Sequence, residues 1–262
     1  MLEAKGLVAG YGANTVLHGV TFTVGEGELV SMVGLNGAGK SVSLRCLAGL
    51  LLPWDGTVTL RGTDITKLSP EARVGAGLKM VPQGRGIFPE FTVEQNLRVG
   101  AYRIKNKDFR AKVDPIYERY PRLADRREQR AGTLSGGEQA MLALGRALID
   151  APSVLLLDEP TAGLSPAAAH EMADLVRALN DDGMTILLVE QSIGVALKLA
   201  TRVLLMQKGA IIRETSPSRL NDRRALLDEL GAGSLYERER RGTKITKRRT
   251  TTRTKKTTRS KR

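Results

Sequence analysis

The sequence predicts an α/β domain: a mainly parallel sheet, a small antiparallel β region near the start, and a helical subdomain inserted in the core. Three observations lead there. Four short, nearly continuous apolar runs, at 29–33, 154–157, 186–189 and 203–206, suit strands buried on both faces. Helical patterns follow three of them, at 39–50, 166–180 and 192–200, the alternation expected of parallel strands joined by crossover helices. Between about 86 and 150 the character changes, with helical stretches at 93–119 and 136–150 and no strong strand between them.

Taken in chain order, VTFTV (20–24) and TVTL (57–60) alternate polar with apolar residues and contain Thr and Val, so they suit antiparallel strands. LVSMV (29–33) is the first buried strand and runs straight into a glycine-rich octapeptide. The helical insertion follows, and after it the strands VLLL (154–157), ILLV (186–189) and VLLM (203–206). Residues 216–231 suit short terminal helices. The folded domain is expected to span 1–235, with 236–262 a separate tail. No internal repeat is evident.

Charge supports that division. The net charge is +13, but residues 237–262 hold thirteen Lys or Arg against two Glu, a net of +11 that leaves +2 for residues 1–236. The tail is rich in Thr, Lys and Arg with almost nothing to bury, and disorder is expected there. Its chemistry suits anionic lipid, nucleic acid, or a solvated extension with no specific partner. No apolar run approaches the ~18 residues needed to span a bilayer. The N-terminus does not read as a signal peptide. A single cysteine, Cys46, excludes an internal disulfide and suits a reducing compartment; a small buried residue on a helix is its expected role. Cytoplasm is the expected location.

GLNGAGKS (34–41) matches G-x-x-x-x-G-K-[ST] in its required strand–loop–helix setting. Gly34, Leu35, Asn36, Gly37, Ala38 and Gly39 would turn backbone N–H groups toward phosphate oxygens, and the helix start adds its positive dipole end. Lys40 would reach the β and γ phosphates, and the Ser41 hydroxyl would ligate Mg²⁺. In VLLLDEP (154–160), a buried strand delivers Asp158 to its polar end, where a carboxylate can hold Mg²⁺ directly or through water. Glu159 follows as candidate general base for an attacking water.

LSGGEQ (134–139) precedes that strand. P-loop, LSGGE and LLLDEP in this order resemble the ATP-binding cassette (ABC) family of transporter ATPases over residues 1–235, which implies a P-loop NTPase core of RecA-like type. Tyr11, in the turn after the first strand, matches the family's adenine-stacking aromatic. Gln83, in VPQGRGIFP, matches the glutamine that senses Mg²⁺ and links core to insertion. Ser135, Gly136 and Gly137 precede a helix whose N–H groups can cap an anion. The resemblance implies that this anion is the γ-phosphate of ATP on a second cassette, the same chain or a homologous one, packed head to tail. It also implies two membrane permease subunits, an extracytoplasmic solute-binding protein, and a site of work at the inner face of the cell membrane.

Three positions depart from the family pattern. TILLVEQS (185–192) places Gln191 where a switch histidine is usual; an amide offers N–H donors to the γ-phosphate but cannot titrate. Ser165 stands where an aspartate is common, and Val42 replaces a usual Thr. LVEQ, with GLSP after DEP, resembles the LivF-type branch of branched-chain amino acid importers and their urea or amide relatives. Phe88 and Phe91 are either a docking surface for permease helices or core of the insertion. His18, expected before an apolar strand, and His170, on a surface helix, receive no role. A nucleic-acid-directed ATPase is the alternative reading, favoured only by the tail. A regulator that never hydrolyses is disfavoured by Asp158 and Glu159.

Overall fold

The structure, a computed structural model, describes residues 1–217. Leu2–Tyr11 (β1) and Asn14–Val24 (β2) form an antiparallel hairpin. Gly12 sits at φ 57° in its two-residue turn, where a left-handed backbone matches the strand twist. Leu29–Val33 (β3) is buried at all five positions and leads through the glycine-rich loop into Lys40–Ala48 (α1). Asp55–Leu60 (β4) pairs with the other edge of β1, and Thr63–Asp64 (β5) lies outside it, giving the order β2-β1-β4-β5. Pro70–Gly75 (α2), capped by Ser69, precedes Leu78–Val81 (β6).

The insertion holds Val93–Gly100 (α3), Phe109–Arg119 (α4), Pro121–Ala124 (α5) and Gly136–Leu148 (α6). Both α3 and α6 open with complete capping boxes, Thr92 with Gln95 and Ser135 with Glu138. Val154–Asp158 (β7), Pro166–Asp181 (α7), Thr185–Glu190 (β8), Ile193–Leu199 (α8), Arg202–Gln207 (β9) and Ala210–Thr215 (β10) complete the described chain.

The second sheet runs β10-β9-β3-β8-β7-β6. Every pairing in it is parallel except β10 with β9. The expected parallel sheet and antiparallel region are both present. Between the two sheets lies one apolar core: Leu7, Leu17 and Phe22 from the small sheet, Leu44 and Leu47 from α1, Met32, Leu156 and Leu187 from the large one. Each such leucine, fully buried, stabilises by about 1.5–3 kcal/mol relative to exposure.

Several elements differ from the sequence expectation. β2 begins at Asn14 instead of near residue 20, so His18 lies within a strand. Tyr11 is the last residue of β1 and not part of the turn after it. β6, β10 and α2 were not anticipated. Cys46 is buried on α1, where desolvation pushes its thiol up to about 11. Phe88 and Phe91 are 42% and 43% exposed, their rings stacked at 5.4 Å, so neither is core of the insertion. The terminal helices expected within 216–231 and the disordered tail fall essentially outside the described residues. Among the described residues, no helix is long and apolar enough to cross a membrane.

Candidate functional site

The loop between β3 and α1 is shaped by what surrounds it. A Cβ on Gly34 would meet the Met206 carbonyl oxygen at 2.3 Å, so only glycine lets the loop leave β3 this close to β9. Gly39, at φ 107°, would set a Cβ 2.8 Å from the Met206 side chain and 2.9 Å from Leu17. Gly209 N–H, in the turn between β9 and β10, donates to the Ala38 carbonyl at 2.9 Å and fastens the loop from behind. Gly34, Leu35 and Ala38 thus form the back of the loop, while Asn36, Gly37, Gly39, Lys40 and Ser41 line a cavity of about 320 Å³. Val16, Val42, Gln83, Glu159 and Gln191 complete its wall.

Lys40 is buried, and its ammonium donates to the Gly34 carbonyl at 2.8 Å and the Leu35 carbonyl at 3.2 Å. Burial lowers its pKa, opposed by the fields of Glu159, Asp158 and Glu190. Ser41 Oγ donates to Asp158 Oδ1 at 2.9 Å, closing loop onto strand β7. Burial and the neighbouring Glu159 raise the Asp158 pKa, and the Ser41 bond partly offsets them. Hydroxyl and carboxylate oxygens side by side are hard donors of the kind Mg²⁺ takes, so the residues present fit that ion.

Glu159 leaves β7 at φ 50°, a left-handed backbone that costs a residue with a Cβ about 1–2 kcal/mol. Its N–H donates to the Val189 carbonyl at 2.9 Å. Two exposed amides then converge on one carboxylate oxygen: Gln83 Nε2 at 2.8 Å and Gln191 Nε2 at 2.7 Å, both donating to Glu159 Oε2. The glutamine in the histidine's place therefore orients the candidate base and borders the cavity.

Ser135, Gly136 and Gly137 are not among the residues lining that cavity. They open α6, with Ser135 Oγ accepting from Glu138 N–H at 3.3 Å and Ser135 N–H donating to Glu138 Oε2 at 2.8 Å. Tyr11 is exposed at the end of β1, outside the cavity lining, and its hydroxyl accepts from Arg45 Nη1 at 2.9 Å. Ser165 caps α7, accepting from Ala168 N–H at 3.3 Å, a task serine and aspartate share. A second concavity of about 240 Å³, bordered by Met80, Phe88, Val99, Tyr102 and Arg146, lies where β6 meets α3 and α6. Sequence reasoning missed Arg45, Thr161 and a role for Glu190. Arg45 belongs to no motif, Thr161 directly follows DEP and Glu190 falls within LVEQ, but only their three-dimensional neighbours give them a role.

Loop, carboxylates and parallel sheet together define a nucleoside-triphosphatase of the P-loop class. The sequence profile of the ABC transporter family matches residues 17–162. The high-affinity branched-chain amino acid transport ATP-binding protein BraG of Pseudomonas aeruginosa is 41% identical over 77% of this chain and 87% of its own. The probable branched-chain amino acid transport ATP-binding protein LivF of Archaeoglobus fulgidus is 38% identical over 80% and 90%. Among solved structures, the ADP conformation of MJ1267, an ATP-binding cassette of an ABC transporter, superposes with a TM-score of 0.79 at 27% identity, covering 89% of this chain and 98% of that one. The chain belongs to the ABC transporter family, whose ATP-binding cassettes are ATPases coupled to transport.

Proposed function

We propose that the chain is the ATP-hydrolysing subunit of an ABC importer for branched-chain amino acids or small amides. It acts at the cytoplasmic face on two permease subunits fed by an extracytoplasmic binding protein. The observation that carries hydrolysis is the Glu159 carboxylate, held by two amides on the wall of a cavity that the phosphate loop also lines. The names borne by BraG and LivF support import and the solute class.

In this reading Lys40 exchanges two backbone carbonyls for ATP phosphate oxygens, and Tyr11 stacks on adenine. Ser41, Asp158 and Gln83 would hold Mg²⁺, which supplies charge neutralisation on the β and γ phosphates. Glu159 takes a proton from the attacking water, and the Gln191 amide keeps that carboxylate aimed while donating toward phosphate. Gly136 and Gly137 N–H groups at the start of α6 cap the γ-phosphate on a second cassette. The concavity beside Phe88 and Tyr102 receives a permease helix. The domain runs to about residue 235, and the basic tail beyond it is an accessory.

Two measurements test this. Glu159→Gln should bind ATP and lose turnover at least about a hundredfold. Parental turnover would remove Glu159 as base. Affinity purification of the full chain from native membranes in mild detergent should retain two polytopic subunits and a second cassette. Retention of soluble proteins or nucleic acid alone would overturn the importer.

A further inference from the structure

One buried carboxylate in the site has no part in that scheme. Glu190 is 2% exposed, ends β8, and directly precedes Gln191. Its Oε1 accepts from Thr161 Oγ1 at 2.7 Å and, more weakly, from Thr161 N–H at 3.4 Å. Thr161 lies two residues after Glu159, on the loop that leads toward α7.

The last two residues of β8 and the one after them thus grip the stretch around the candidate base three times in succession. The Val189 carbonyl takes the Glu159 N–H, the Glu190 carboxylate takes both donors of Thr161, and the Gln191 amide donates to the Glu159 carboxylate. Glu159 needs such a grip, because its backbone is in the left-handed region, a conformation that persists only where the surroundings over-determine it. Burial raises the Glu190 pKa, with the neighbouring Glu159 adding to the rise, while the Thr161 bonds and the Ser192 N–H oppose it.

We infer that Glu190 is a positioning residue for ATP hydrolysis: by holding Thr161 it fixes the backbone that follows Glu159 and keeps that carboxylate aimed at the attacking water. This rests on Glu159 being the base. The side-chain requirement at 190 is an oxygen acceptor at the reach of glutamate, which glutamine also supplies. Misplacing a catalytic group by about 1 Å can cost a hundredfold without weakening substrate binding.

The test uses ATP turnover by the purified full chain, separating kcat from KM, with melting temperatures measured alongside. Glu190→Ala and Thr161→Val are each expected to lower kcat about tenfold to a hundredfold while KM for ATP stays within about twofold. Combined, they should fall no further than Glu190→Ala alone, since that change already removes the hydroxyl contact that Thr161→Val breaks. Glu190→Gln should recover most of what Glu190→Ala loses. Parental kcat in Glu190→Ala or in Thr161→Val overturns the inference. So does a Glu190→Gln variant as impaired as Glu190→Ala beside an unimpaired Thr161→Val, which would make the carboxylate itself reactive. If Glu190→Ala fails to fold, Thr161→Val and Glu190→Gln still decide the matter. Glu159→Gln in the same assay separates the two readings: retained turnover there rejects the base, whereas its loss beside an unimpaired Glu190→Ala rejects only the positioning role.

Discussion

Helix α1 has a buried cation at each end, and the two are satisfied in opposite ways. At the C-terminal end Arg73, fully buried, spreads its guanidinium over four carbonyls: Cys46 at 2.6 Å, Leu47 at 2.7 Å, Thr66 at 2.5 Å and Leu68 at 3.1 Å. Two of these are end carbonyls of α1, and a positive charge belongs at that pole of the dipole. At the N-terminal end Lys40 sits against the positive pole, holding two loop carbonyls. The first cation is complete without a ligand. The second meets the positive pole with two carbonyls and the fields of Glu159, Asp158 and Glu190, and in the proposed function phosphate oxygens replace those carbonyls.

Changing each cation should break different properties. Arg73→Met would remove the guanidinium from four carbonyls, of which Cys46 alone keeps a second donor, the Gly49 N–H at 3.2 Å. The expected loss is about 3 kcal/mol or more, a fall in Tm of roughly 6–12 °C, read by calorimetry. An unchanged Tm would mean that water can replace the guanidinium and that the two ends are alike after all. Lys40→Ala should lower ATP affinity about a hundredfold, near 2.7 kcal/mol, while moving the ligand-free Tm by less than about 2 °C. A large fall in Tm there would make Lys40 structural too.

Asp158→Asn is expected to give the smallest effect, and a stabilising one. Burial and Glu159 raise the native pKa of Asp158 above its unfolded value. The native state therefore holds the proton more tightly, and stability falls as pH rises from the unfolded carboxylate range through the raised native pKa. Removing the charge while keeping an oxygen for Ser41 should raise Tm at pH 7 by roughly 2–4 °C, with the gain shrinking toward pH 4 and turnover lost. A gain independent of pH would place its origin elsewhere.

What could be read in the sequence follows the same division. Lys40, Ser41, Asp158 and Glu159 sit in motifs because local backbone geometry, a strand end or a glycine turn, is enough to present them. The four apolar runs announced β3, β7, β8 and β9 because strands buried on both faces leave no alternative composition. Strand β6 was hidden by Lys79, whose ammonium is buried in the middle of LKMV and lies 3.6 Å from Asp150, an ion pair no pattern reveals. Strand β10 lies at the sheet edge with three exposed residues and resembles a loop. Arg73 and Glu190 were illegible for different reasons: Arg73 reads as a surface cation beside Glu71, whereas Glu190 closes an apolar run and its partner Thr161 lies 29 residues away in sequence.

The strand that launches the phosphate loop has a consequence for biosynthesis. β3 ends at Val33, yet its two hydrogen-bonded neighbours are β8, starting at Thr185, and β9, starting at Arg202. At ~5–20 residues per second, a ribosome needs roughly 8–30 seconds after finishing β3 before either neighbour exists. The β1–β2 hairpin can close during that interval, but β3 waits with both edges unpaired. The nucleotide loop therefore gains its flanking strands only once residues 185–207 have been made, and a nascent chain halted anywhere before residue 185 carries the nucleotide motif without the sheet that shapes it.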